Sequence, residues 1–135
     1  MFVDSLFAEK WEDRADHGVE TINPTWDQVK QAILNLDGRT RTTVLLTNQA
    51  INDHYLGISG QWDGSFMVNT TPDNHDFFSL VDSSRSTRKV TVFVGGQDVE
   101  LEEQKCVPLE WALEAAEHFF HTGERKPTMN RVSDF

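Results

Sequence analysis

The sequence predicts an α+β fold: an antiparallel sheet of about five strands, packed by one helix in the N-terminal half and one C-terminal helix. Two observations carry this expectation. Apolar residues recur at spacings of three and four in only two stretches, around 26–36 and 109–120. Between them lie short β-branched or alternating runs, each bounded by Gly, Pro, Asn or Asp. Strands gathered between two helices at hairpin-like spacing favour antiparallel pairing over alternating βαβ units.

Residues 1 to 18 begin with Phe2, Val3, Leu6 and Phe7, compatible with a helical turn or a first strand. Trp11 then stands as an apolar anchor beside the acidic Glu12, Asp13 and Asp16, and Val19 to Ile22 alternates like a short strand. Asn23-Pro24-Thr25 opens a helix, with Asn23 or Thr25 as its cap. Trp26, Val29, Ile33 and Leu36 form its apolar stripe, and Asp37-Gly38 ends it. Strands are expected over Thr42 to Thr47, His54 to Ser59 and Ser65 to Thr70, the last two joined through Gln61-Trp62-Asp63-Gly64, because Asp-Gly tolerates positive φ. Further strands are expected over Phe77 to Val81, Arg88 to Val94 and Asp98 to Glu102. Polar loops at Pro72 to Asp76 and Asp82 to Ser86, and the turn Gly95-Gly96, separate them. In the closing helix Leu109, Ala112, Leu113, Ala116, Phe119 and Phe120 make one stripe; Pro108 suits its first turn and Gly123 its end. Trp26, Trp11 and Trp111 read as core residues.

The chain has 135 residues, enough for one domain over 1–135 without staples. Cys106 stands alone, which excludes an internal disulfide. No leader pattern or membrane-spanning apolar run is evident, and a cytoplasmic location is expected. Twenty-two acidic residues against 12 basic ones give a net charge of −10. That argues against direct contact with nucleic acid or an anionic membrane and permits a basic protein partner.

Catalytic signatures are missing. No phosphate-binding glycine loop occurs, and Gly57-Ile58-Ser59-Gly60-Gln61 lacks the second glycine of a nucleophile elbow. Cys106 has no nucleophile signature around it and reads as a buried structural residue. Glu114, Glu117, His118 and His121 share two helical turns but lie off the apolar stripe, so ordinary surface pairs are expected there and no metal or cofactor. His54 with Asp53, and His75 with Asp76, are the residues that would line a pocket between helix and sheet. They carry the alternative reading of a small enzyme or ligand-binding domain.

Asp98-Val99-Glu100-Leu101-Glu102-Glu103 is the most suggestive acidic feature. On a strand, Val99 and Leu101 face one side, and Asp98, Glu100 and Glu102 the other. Such a row is a candidate binding face for a basic partner; the plainer reading is a solvated sheet face or edge that resists aggregation. Trp62 at its turn is either an exposed anchor for a protein partner or an indole folded back over the sheet.

The C-terminal third carries a resemblance. Gly95-Gly96 precedes acidic residues and the helix from Pro108 to Thr122. The run Ala-Ala-x-x-Phe-Phe-x-Thr-Gly-x-x-x-Pro occupies Ala115 to Pro127. With the helix from Asn23-Pro24-Thr25-Trp26 to Leu36-Asp37-Gly38 and the intervening strands, this resembles immunity protein family one of the bacterial polymorphic toxin systems. Two departures are Val107-Pro108, where the family often has Val-Ser, and Met129-Asn130-Arg131, where it often has a tryptophan. The resemblance implies a non-catalytic, cytoplasmic antitoxin, without cofactor, that binds a cognate toxin domain. Toxins acting on nucleic acid, such as deaminases, are among the partners it implies. The expected partner-binding residues are Trp62, Asp63, Asp73, Asp76, Asp98, Glu100, Glu102 and Glu103, on a chain that is monomeric when free.

Overall fold

A computed structural model describes residues 1–132, apart from the side chain of Asn52. In chain order the elements are β1 (Ser5–Ala8), β2 (Trp11–Glu12), β3 (Ala15–Asp16), β4 (Val19–Ile22), α1 (Trp26–Leu34), β5 (Thr43–Asn48), β6 (Ile51–Trp62) and β7 (Ser65–Thr71). They continue with β8 (Phe77–Ser79), β9 (Lys89–Val94), β10 (Gln97–Glu102), a 3₁₀ turn at Glu103–Lys105, β11 (Val107–Pro108), α2 (Leu109–Thr122) and β12 (Asn130–Val132).

The α+β class and antiparallel pairing hold, but the sheet is larger than about five strands. Its order is β12-β8-β7-β6-β5-β1-β4, and β11 pairs with the start of β7. The added strands come from the two ends of the chain: β1 inserts between β4 and β5, and β12 pairs with β8. Each is only three or four residues long, too short to show a period. The hairpin β9–β10 also departs from expectation, because it forms its own two-stranded sheet.

Both helices lie on one face of the main sheet. Thr25 caps α1 in a capping box: its hydroxyl accepts from the Gln28 amide at 3.1 Å, and the Gln28 side chain accepts from the Thr25 amide at 2.9 Å. Val29 and Ile33 then face inward with Leu36 beyond the helix end, as their spacing requires. In α2, Ala112, Ala115, Ala116, Phe119 and Phe120 are buried. They meet Leu6, Val44, Leu46, Leu56, Ile58 and Val68 from alternate positions of the strands. Trp111 sits about a quarter-turn off this stripe and is 38% exposed, so it is not the core residue expected.

The end of α2 also fastens the start of the chain. The amides of Phe2 and Val3 both donate to the Phe120 carbonyl, at 3.0 and 3.2 Å. Gly123 caps the helix at φ 74, and any side chain there would collide with the Phe2 ring.

Candidate partner-binding surface

The outward residues of the main sheet follow from register. Opposite the helices, one row crosses the strands through Glu20, Phe7, Leu45, Gly57, Asn69 and Ser79. The next row runs through Ile22, Ser5, Thr47, Tyr55 and Thr71. A third begins Thr43, Ser59 and Met67, and there the hairpin lies across the sheet: Met67 and Trp62 pack against Val92, Leu101 and Cys106.

Several polar contacts pin the hairpin in place. The Trp62 indole donates to the Phe93 carbonyl at 3.2 Å. The Gly95 amide donates to the buried Thr42 hydroxyl at 3.0 Å, which itself donates to the Glu9 carboxylate at 2.7 Å. Glu9 also accepts from the Trp11 indole at 3.0 Å, and Trp11 packs against Gly96 at the hairpin turn. Trp62 is therefore folded back as the floor of the hairpin, half-buried, while Asp63 beside it is exposed in the turn at φ 51.

On β10 the alternation is as expected. Leu101 is buried and Val99 half-buried, while Asp98 and Glu100 are exposed. The four acidic residues differ in their surroundings. Glu103 lies past the strand in the 3₁₀ turn and pairs with Arg88 at 3.0 Å and Arg85 at 3.9 Å. The hydrogen bond from Arg88 holds its carboxyl below the usual range. Glu102 lies 3.8 Å from Lys105 and faces Lys89 across the strands. Asp98 and Glu100 face Phe93 and Thr91, and neither makes an ion pair among the described residues. Of the predicted row, these two carboxylates are the ones open to a partner.

Asp73 and Asp76 lie in the loop between β7 and β8, at the far end of β7 from Trp62 and Asp63. Seven residues of strand separate the two sites by about 20 Å. Asp73 accepts from the Asp76 and His75 amides, each at 2.9 Å, which lowers its carboxyl below the usual range. Asp76 bonds Arg131 at 2.6 Å. The loop folds toward the outward face, since the Asn74 amide donates to the Thr71 hydroxyl at 2.9 Å.

Of the residues of the enzyme alternative, His54 lines a hollow between the end of α2 and the sheet, beside Thr70, Pro72, Phe78 and Arg125, and Asp53, His75 and Asp76 are not in its lining. His54 packs between the rings of Phe2 and Phe119, with centroids 5.0 and 5.5 Å away, while Asp76 is engaged by Arg131. Cys106 is buried, and that burial pushes its thiol pKa up, the opposite of an activated nucleophile. Among the described residues no group of three or more His, Cys, Asp or Glu side chains is arranged to hold a metal ion. His121 and Glu117 form only an ordinary surface pair at 3.9 Å. No helix among those residues is long and apolar enough to cross a membrane.

Sequence reasoning did not find the outward sheet face. Val44-Leu45-Leu46 is an unbroken apolar run with no alternation; only its register against β1 and β6 shows that Leu45 points away from the helices. Phe7 was likewise not separable from its neighbours in a four-residue strand.

The class this architecture defines is an α+β protein with helices on one face of its sheet, and a pinned acidic hairpin beside open strand surface on the other. The family is equally definite. The model of the family described as Immunity protein Imm1 matches residues 17–133, most of the chain, and the chain belongs to that family. No curated protein matches it. Membership implies a toxin-neutralising role with a cognate toxin as partner, and suggests a binding protein rather than an enzyme.

Proposed function

We propose that this chain, acting in the cytoplasm as a monomeric single domain, neutralises its cognate toxin by covering the toxin's active site with an acidic surface. The toxin's substrate is then a polyanion, with nucleic acid the leading case and a deaminase one such enzyme. The observation that supports this reading is the pair of carboxylates on the hairpin, Asp98 and Glu100, exposed and without an ion-pair partner among the described residues. Adjacent like charges repel one another in the free protein, and that cost is relieved when a cationic groove meets them. Complementary fields also accelerate encounter. Asp63 extends the acidic surface at that end, with Trp62 supporting it from beneath and Glu102 and Glu103 beside it in ion pairs with Lys105 and Arg88, and Asp73 extends it at the other, where Asp76 is paired with Arg131.

The test is co-expression with the toxin encoded beside this chain, scored by survival and by recovery of a complex. The double substitution Asp98→Lys/Glu100→Lys is expected to slow association by tenfold or more while leaving the thermal midpoint within a few degrees. Unchanged association with a folded double variant would remove the hairpin from the mechanism.

A further inference from the structure

The outward face between the hairpin and the 72–76 loop has the wrong composition for a surface left to water. An antiparallel sheet with one solvated face alternates apolar inward and polar outward. Here Phe7, Leu45 and Tyr55 stand on the outward side, half-buried, on three adjacent strands; the tip of the Phe7 ring packs against Gly18, while Leu45 and Tyr55 lie nearer the centre. At the centre of this face is Gly57. A Cβ built there would meet only a Leu45 methyl at 3.2 Å and the Val44 carbonyl at 4.0 Å, so no other element lies over it.

The charge on this face is one-sided. Neither row through Leu45 or Thr47 includes a lysine or arginine, although the chain has 12 of them; Ser5, Thr71 and Ser79 in these rows are buried, and Phe7, Leu45, Thr47 and Tyr55 are half-buried. Its rim is acidic. Glu20 stands beside Phe7, and its carboxylate accepts from the Ser5 hydroxyl at 3.1 Å. Asp53 shares a shallow hollow with Thr47 and Tyr55, and Asp73 is held by backbone amides at the loop end. None of the three pairs with a basic side chain among the described residues. The row through Leu45 crosses six strands at about 4.8 Å spacing, about 24 Å in all.

We infer that this face is the seat of the toxin domain. A basic toxin surface lies across the sheet, places an apolar side chain over Leu45 and Tyr55, and sets lysines or arginines against Glu20, Asp53 and Asp73. The hairpin is then one end of the contact, not its centre. This rests on the proposed immunity function and deepens it: it names where the partner lies and what chemistry its surface must have.

Thiol footprinting tests the placement, because Cys106 is buried and leaves little background. Single cysteines are placed by Thr47→Cys on the open face, Thr91→Cys beside Glu100 on the hairpin, and Lys30→Cys on the helical side. Each is labelled with maleimide, free and in the toxin complex. The expected result is at least tenfold protection at position 47, lesser protection at 91 and none at 30. Protection at 91 with unchanged labelling at 47 would overturn the inference while leaving the immunity function standing. Failure of any complex to form, with no rescue of growth, would remove both. Leu45→Lys gives an independent measure: affinity falls at least tenfold with an unchanged thermal midpoint, and wild-type affinity in the folded variant overturns the seat.

Discussion

Asp37 shows how much one side chain can organise. It follows α1, and its carboxylate accepts from the amides of Arg39, Thr40 and Arg41 and from the Thr40 hydroxyl, at 2.8 to 2.9 Å. Partial burial opposes its ionisation, but these hydrogen bonds outweigh it and hold the carboxyl below its ordinary value. A depressed folded-state pKa contributes stability above the unfolded carboxylate range, near pH 4. That contribution is lost as pH falls through the lower folded value. Asp37→Ala is therefore expected to cost about 1 kcal/mol at neutral pH, a hydrogen-bond figure discounted for exposure, with the cost shrinking toward pH 3. Urea unfolding of both proteins at pH 7 and pH 3 measures the difference; an equal gap at both pH values contradicts the assignment. Gly38 beside it was readable as a helix stop, but this hydrogen-bond set was not, because it depends on the path of the chain into β5.

Among the elements, the hairpin β9–β10 depends most on what lies beneath it. Its buried side is small: Val92 and Leu101, with Trp62 and Met67 from the sheet. A hairpin this short is marginal alone. The Thr42 hydroxyl joins it to the N-terminal segment through Gly95 and Glu9. Thr42→Val keeps the shape but leaves the half-buried Gly95 amide without its acceptor and the Glu9 carboxylate with the Trp11 indole but one donor fewer, and should cost about 1 to 2 kcal/mol. Hydrogen exchange at the Gly95 amide should accelerate more than exchange in β6. Uniform acceleration across both would mean the bond serves global stability instead of the hairpin. The strands of this hairpin were legible from Val90, Val92 and Val94 alternating with Thr91 and Phe93. Where it would dock was not, since period-two alternation states that a strand has two faces and not what covers either one. The helices were easier for the opposite reason: the Phe119–Phe120 end of α2 and the Val29–Ile33 stripe of α1 each demand a covering layer. Trp111 was misjudged because tryptophan is usually buried, whereas its angular position on α2 is outside the stripe.

At the scale of the whole molecule, the net charge of −10 underlies the electrostatic mechanism proposed for meeting the partner. Fields from many exposed carboxylates reach beyond contact distance only when the screening length is long, about 8 Å at physiological salt and about 20 Å near 0.02 M. Association with the toxin should slow by at least about tenfold between 0.02 and 0.5 M salt, with dissociation changing far less. Stopped-flow mixing separates the two rates; a salt-independent association rate contradicts electrostatic steering. The overall class was readable from the two amphipathic helices around a strand-rich middle. The insertion of β1 between β4 and β5, and the addition of β12, were not. Both join residues far apart in the chain, and pairing partners of that kind leave no local pattern.

The two amides of Phe2 and Val3 on the Phe120 carbonyl have a consequence in time. At cellular rates of synthesis, on the order of ten seconds separate the emergence of Val3 from that of Phe120. Through that interval the central strands can pair, but the side chains of Leu46, Leu56 and Val68 have no lid. Closure waits for the last helix to leave the ribosome. Competence to bind a partner then begins once α2 has emerged and docked, not with the first folded half of the domain.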